Sequence, residues 1–145
     1  MAIVADSGGI YALYDTKDAH HKAVRGCFAK SPQQIHLPAS LLGELGYMLG
    51  EWLGTKALLQ FLADITEGAY RVEPFLDEDL HRCETLVNKY SDLRLGLCDA
   101  AVVALAERLG IGTILTVGRD ERHLRVIRTV EGRAFRLLPE DRKKR

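Results

Sequence analysis

The chain has 145 residues, 47% hydrophobic and 28% charged, with 20 Lys/Arg balanced by 20 Asp/Glu. That is the make-up of one ordinary globular unit with a substantial core, which excludes a disordered or low-complexity chain. No apolar run reaches the length of about 18 residues that a membrane span needs, and no basic segment precedes an apolar core at the N-terminus, so the expected setting is cytoplasmic.

Cys27, Cys83 and Cys98 are odd in number and far apart, which fits neither a zinc pattern nor a disulfide framework. The zero net charge conceals an asymmetry. Residues 119–145 hold ten Lys/Arg and five Asp/Glu, whereas residues 1–118 hold ten and fifteen. A basic C-terminal end attracts polyanions. Residues 1–139 read as one domain and 140–145 as a basic tail, whose plainest reading is a solvated end.

Ala2-Ile3-Val4-Ala5 is short, apolar and uninterrupted, as in a central parallel strand, and it runs straight into Asp6-Ser7. Gly8-Gly9 follow, and Ile10–Tyr14 starts a helix. Asp6 thus lies at the carboxyl edge of a sheet, where open α/β sheets place their sites. Asp18 is positioned to cap a helix from His20 to about Ala29, and Pro32 ends that unit. His20 and His21 are adjacent and point to different faces, which argues against a shared metal. Gln34–Leu37 is a second strand, followed by Pro38. Ala39–Gly54 is a helix, apolar nearly all round, with Ser40 as its N-cap and Glu44 as its interior acid. Such a helix is buried or lies at an interface, and a carboxylate on an apolar face needs a partner. Glycines 43, 46, 50 and 54 form one stripe along it, although each interior Gly costs about 1 kcal/mol of helix propensity. The stripe implies close approach by a neighbouring element of this chain or of a second copy.

Thr55 starts an amphipathic helix carrying Leu58, Leu59, Phe61, Leu62 and Ile65, ended by Gly68. Tyr70–Pro74 is a third strand at a sheet edge. Glu78–Lys89 is a helix with Leu80, Cys83, Leu86 and Val87 inward. Ala100–Gly110 is a strong helix headed by Asp99, where the helix dipole favours an anion. Val102, Val103 and Ala106 follow Asp99 at three, four and seven, so the acid heads an apolar stripe and points into the fold. Asp92, in the approach loop, reads as a capping or turn acid. Thr113–Val117 is a fourth strand, Gly118–His123 a loop and helical turn, and Arg133–Leu138 the last strand. Repeated βα units give an α/β three-layer sandwich with a mostly parallel, about five-stranded sheet.

Four acids resist explanation as surface residues: Asp6, Glu44, Asp99 and Asp120. If strands one and four are neighbours, all four converge on one crevice at the carboxyl edge. At about 4 Å and an effective dielectric near 20, each pair of carboxylates costs roughly 4 kcal/mol. Such a site holds protons at raised pKa or holds a cation. Four hard oxygen donors without organised His or Cys suit Mg²⁺ or Mn²⁺. The plainer alternative is four acids capped or salt-bridged separately.

These residues resemble the PIN-domain nucleases, most closely the VapC-type toxins of bacterial and archaeal toxin–antitoxin pairs. Four blocks carry the resemblance over nearly the whole length: Val4-Ala5-Asp6-Ser7, Pro38–Leu45 around Glu44, Leu95–Gly110 around Asp99, and Ile114–Leu124 around Asp120. The third is the most specific. Two departures stand out. Gly8 replaces a second hydroxyl often found two residues past the first acid. Thr116 and Asp120 are four apart instead of two, as if Gly118-Arg119 were inserted, so Thr116 or Asp92 can share the role of Asp120.

The resemblance implies an endoribonuclease that depends on Mg²⁺ or Mn²⁺ held by Asp6, Glu44, Asp99 and Asp120. Ser7 and Thr116 would orient ligands or bind a phosphate, and Arg119 and Arg122 would hold the RNA backbone. It further implies a homodimer inhibited by a VapB-type antitoxin, with Tyr47, Met48 and Trp52 lining the antitoxin groove or serving as ordinary core. Two other classes stay open: an inactive PIN-like binding module, and a metal-dependent phosphoesterase that does not act on RNA. A receiver-like domain wants paired acids near the first strand and a late Lys, and this chain has neither.

Overall fold

The computed structural model describes residues 1–29 and 33–140; Pro32 and the tail residues 141–145 lie outside them. Five strands form one sheet: β1 (Ala2–Ala5), β2 (Gln34–Pro38), β3 (Tyr70–Glu73), β4 (Thr113–Leu115) and β5 (Arg136–Leu138). Their order is β3-β2-β1-β4-β5, and all four pairings are parallel. Strands one and four are therefore neighbours, with Val4 opposite Ile114 and Ala5 opposite Leu115.

Seven helices cover both faces: α1 (Ser7–Tyr14), α2 (His21–Ala29), α3 (Leu42–Trp52), α4 (Thr55–Thr66), α5 (Asp77–Lys89), α6 (Leu97–Leu109) and α7 (Gly118–Val126). The side-chain alternation of β1 divides the core in two. Ile3 and Ala5 pack with α1, α3 and α4 through Ile10, Leu45, Leu49 and Phe61. Val4 packs with α5, α6 and α7 through Leu86, Val102, Leu105 and Leu124. A sheet buried on both faces accounts for strands without polar alternation. Among the described residues, no helix is long and apolar enough to cross a membrane, and no two cysteines are joined.

Several expectations need correction. Ser40 does not cap the long helix. Residues Ala39–Leu41 form a 3-10 turn, and α3 begins at Leu42 without a side-chain cap. Of the two settings expected for α3, full burial does not hold, since Leu45 and Leu49 face the core whereas Tyr47 and Trp52 are 65% and 59% exposed. Its glycine stripe is only partly packed. Leu58 of α4 would lie 3.7 and 3.6 Å from side chains at 46 and 50, Gly43 faces open space, and Gly54 turns the chain with φ +101°. Leu59, Leu62, Leu80 and Val87 are exposed. The inward face of α5 is Cys83, Leu86 and Asp79, the last paired with Arg108 of α6 at 3.0 Å. The segment after β4 is a full helix, and β5 is three residues shorter at its start than Arg133–Leu138 suggests.

The first turn of α1 ties the fold to its carboxyl edge. An ideal Cβ on Gly9 would lie 2.9 Å from the Leu115 carbonyl oxygen and 3.2 Å from Asp6 Oδ1, whereas one on Gly8 meets nothing closer than 3.6 Å. Gly9→Ala is therefore expected to cost about 1–3 kcal/mol through overpacking against rigid backbone. Gly8→Ala should stay within about 0.5 kcal/mol of wild type. Urea denaturation of the two variants checks the contrast.

Candidate active site

The crevice lies where β1 and β4 meet. From β1 the chain passes to α1 on one face of the sheet, and from β4 to α7 on the other. Two neighbouring strands whose helices leave to opposite faces open a gap beyond their carboxyl ends. Asp6 occupies it, immediately after β1. Its N–H donates to Leu115 O at 3.0 Å, Oδ1 accepts the Gly9 N–H at 2.7 Å, and Thr116 Oγ1 donates to Oδ2. Asp6 thus caps α1 while its side chain bridges to the residue after β4. At 2% exposure, burial pushes its carboxyl well above the usual carboxylate range. The Thr116 and Gly9 hydrogen bonds oppose that shift, and the charges of Asp120 and Asp99 reinforce it.

Asp99 sits in the first turn of α6, 7% exposed. Asp120 sits in the first turn of α7. Gly118, with φ +67°, starts that helix. The two extra residues noted between Thr116 and Asp120 thus become the entry to α7, and Asp120 still reaches the crevice. A side chain at Gly8 would find Asp120 Oδ2 and Asp6 Oδ1 each 3.7 Å away. Burial, then the charge of Asp120, push the Asp99 carboxyl up to about 6, against the pull of His123. Asp120 is raised by burial and by the charge of Glu44, against hydrogen bonding from Asp99 and the charges of His123 and Arg119.

Glu44 differs from its expected setting. It lies in the first turn of α3 and is exposed rather than interior. Only the first turn of α3 comes near the crevice, so its carboxylate stands at the mouth. Ser7 Oγ donates to Glu44 Oε2 at 3.1 Å, which joins α1 to α3 across the opening. Arg119 and Arg122 are exposed on α7 beside Asp120, and Asp92 is exposed in a 3-10 turn. The expectation that no His or Cys is organised with the acids is overturned. His123 Nδ1 lies 3.2 Å from Asp99 Oδ2, and ligand atoms of Asp99, Asp120 and His123 all fall within 4.8 Å of one another. The signal was the spacing of three from Asp120, which shares a helical face. Cys98, next to Asp99, lies against Glu44. Burial and that contact push its thiol up to about 12, so it is an inert neighbour of the site and no nucleophile.

The donors suit a hard divalent cation. Carboxylates crowded in a buried crevice, each pushed up by burial and by a neighbouring acid, are the state expected of such a site before a cation neutralises it.

A pH dependence follows. A carboxyl raised by folding binds its proton more tightly in the native than in the unfolded chain. Its protonated form therefore favours folding at low pH, and stability is lost as pH rises from about 4 through 6. The change from the usual 3.8 to about 6 at Asp99 is worth roughly 3 kcal/mol. In EDTA, Asp99→Asn should be more stable than wild type by roughly 2–3 kcal/mol at pH 7.5. The gain should vanish towards pH 4. Urea titrations of both proteins across that range measure it, and equal stability at all pH values would refute the assignment.

Comparison with known proteins agrees with this arrangement. The PIN domain family matches residues 3–128. Ribonuclease VapC26 of Mycobacterium tuberculosis is 30% identical over 137 residues, covering 94% of this chain and 100% of that protein. Among solved structures, the Mycobacterium tuberculosis toxin VapC20, which cleaves the sarcin–ricin loop, has a TM-score of 0.70 at 20% identity, over 77% of this chain and 86% of that one. VapBC2 from Rickettsia felis, solved on a DNA fragment from its promoter, has a TM-score of 0.63 at 14% identity, over 94% and 97%. Strand order, matched span and sequence identity agree, and the chain belongs to the PIN-domain family, among the relatives of the VapC ribonucleases.

Proposed function

We propose that this protein is a divalent-metal-dependent endoribonuclease that hydrolyses RNA phosphodiester bonds, the toxin of a VapBC-type pair. The observation that carries the reading is the gathering of Asp6, Asp99 and Asp120 at the β1–β4 switch point of a chain 30% identical to a ribonuclease. Mg²⁺ or Mn²⁺ would be held by Asp6, Asp99, Asp120 and Glu44, and would supply an activated water and charge stabilisation at the scissile phosphate.

The chain's own residues do the rest. Thr116 and the Gly9 N–H hold the Asp6 carboxylate in one orientation, and each of its oxygens keeps a further lone pair for a ligand. Ser7 fixes Glu44 at the mouth. Arg119 and Arg122 face solvent beside Asp120, positioned to bind RNA phosphates on either side of the cut. Exposed Glu44 leaves the crevice open on the α3 side, so a strand can enter without a lid. Residues 1–139 form the catalytic domain in this reading, and 140–145 a basic tail. We further assign a cytoplasmic setting, a homodimer and a VapB-type antitoxin partner. Exposed Tyr47 and Trp52, the latter edge-on to Tyr11 at 5.4 Å, offer the antitoxin an apolar surface on α3.

Incubation of the purified protein with a mixed RNA pool tests the reading. Cleavage should require Mg²⁺ or Mn²⁺ and stop with EDTA. Asp99→Asn should lose more than about a hundredfold in rate, beyond what removal of an outer partner costs, while remaining folded. Metal-independent cleavage, or an active Asp99→Asn, would overturn the reading.

A further inference from the structure

We propose that His123 is itself a ligand of the metal centre, and that its ring nitrogen makes the centre favour Mn²⁺ over Mg²⁺. The inference rests on reading the acids as a metal site, and it concerns a side chain outside the acid quartet.

Geometry comes first. Helix α7 carries Asp120 and His123 three residues apart, on one face. Their ligand atoms and that of Asp99 lie within 4.8 Å of one another. His123 Nδ1 is 3.2 Å from Asp99 Oδ2. Neighbouring donors on an octahedral ion bound at about 2.1 Å are about 3 Å apart. The imidazole and the carboxylate therefore stand at about the separation of two ligands of one ion. As a ligand Nδ1 would give its lone pair to the ion with the ring's one proton on Nε2, so that the donor is the neutral imidazole.

The ring has no competing task. The His123 side chain is 16% exposed, and its hydrogen-bond partner among the described residues is Asp99. Other imidazoles are engaged elsewhere: His36 Nδ1 with Glu73 at 2.9 Å, and His21 Nδ1 with the Ala12 carbonyl oxygen at 2.7 Å. Chemistry then decides the ion. Mg²⁺ and Mn²⁺ both accept octahedral carboxylate sites, but imidazole nitrogen binds first-row transition ions better than it binds Mg²⁺. A site with one nitrogen among oxygens separates two ions that an all-oxygen site treats alike.

The test is electron spin resonance of the full chain loaded with Mn²⁺, read for nitrogen modulation of the spin echo. Binding titrations with Mn²⁺, and with Mg²⁺ by competition, accompany it for wild type and His123→Asn. Asn keeps an N–H that can meet Asp99 but has no ring nitrogen. Wild type should show nitrogen coupling and the variant none. The variant should lose about tenfold or more in Mn²⁺ affinity and much less in Mg²⁺ affinity. No nitrogen coupling in wild type overturns the inference even if the variant fails to fold. Equal loss for both ions overturns it too, leaving His123 as a positioning residue for Asp99. Failure of wild type to bind either ion removes the metal-site reading along with it.

Discussion

Asp6 puts a carboxylate at the end of the central strand, at a depth where an unpaired charge is costly. Its two oxygens are satisfied by two elements that are distant in sequence, the Gly9 N–H of α1 and the Thr116 hydroxyl after β4. That requirement sets the local geometry. Helix α1 must start at Ser7, so that its N-terminal N–H groups face back to the strand end. Strand β4 must lie beside β1, so that Thr116 arrives at the same level. Gly9 must be a glycine, because the Leu115 carbonyl passes where a Cβ would stand. Once β1 and β4 are held together in this way, their helices leave to opposite faces and the crevice between them exists.

The rest of the chain shows what the same residue types do where no site is needed. On the flank of α5 and α6, Arg108 meets Asp79 and the Pro74 carbonyl, and Arg82 grips Glu107 with two hydrogen bonds of 2.8 Å. Asp79 and Glu107 are neutralised by permanent arginine partners, and Glu73 is hydrogen-bonded to His36. At the carboxyl edge, by contrast, no Lys or Arg ion pair reaches Asp6, Glu44, Asp99 or Asp120 among the described residues. Arg119 acts on Asp120 only through its charge. The chain has cations to spare in that region and keeps them on the outer side of α7. Acids inside without a Lys or Arg partner, and Arg119 and Arg122 exposed outside, suit a site that takes a cation from solvent and a polyanion on top of it.

Most of the fold could be read from β1, β2 and α6, whose apolar runs and heading residues leave few alternatives. Asp6 and Asp99 were legible for the same reason: each terminates an unmistakable element. Other positions were not. Periodicity marks the apolar face of a helix but not what covers it, so Leu80 and Val87, read as inward, lie at the surface, as do Leu59 and Leu62 on the amphipathic α4. Glu44 looked interior because Leu42, Tyr47, Met48 and Trp52 surround it in sequence, yet half of that apolar set faces out. Helix α7 was legible only as a loop and a helical turn over Gly118–His123, and the structure carries it on as a helix to Val126 from a left-handed Gly118. The spacing of three between Asp120 and His123 is in the sequence, but a turn among charged residues does not show which face meets the crevice.

Burial across the site is graded, and the gradient follows from which part of each element bears the acid. Asp6 sits at a strand end and Asp99 in the first turn of a helix packed on the sheet, and both are shielded. Asp120 is half-buried in the first turn of a surface helix. Glu44 is exposed in the first turn of α3, held by Ser7 and beside Cys98. In the proposed metal site such a ramp would serve a divalent cation that gives up its hydration reluctantly, with Glu44 at the hydrated end and the deeper oxygens of Asp99 and Asp6 at the other. The deepest carboxylate is also the least able to remain charged without it, because burial and the nearby acids act on Asp6 together. The hydrogen bonds from Thr116 and Gly9 keep that carboxylate from turning away when the cation is absent. The contact that closes the β1–β4 junction is therefore also the one that holds the site ready.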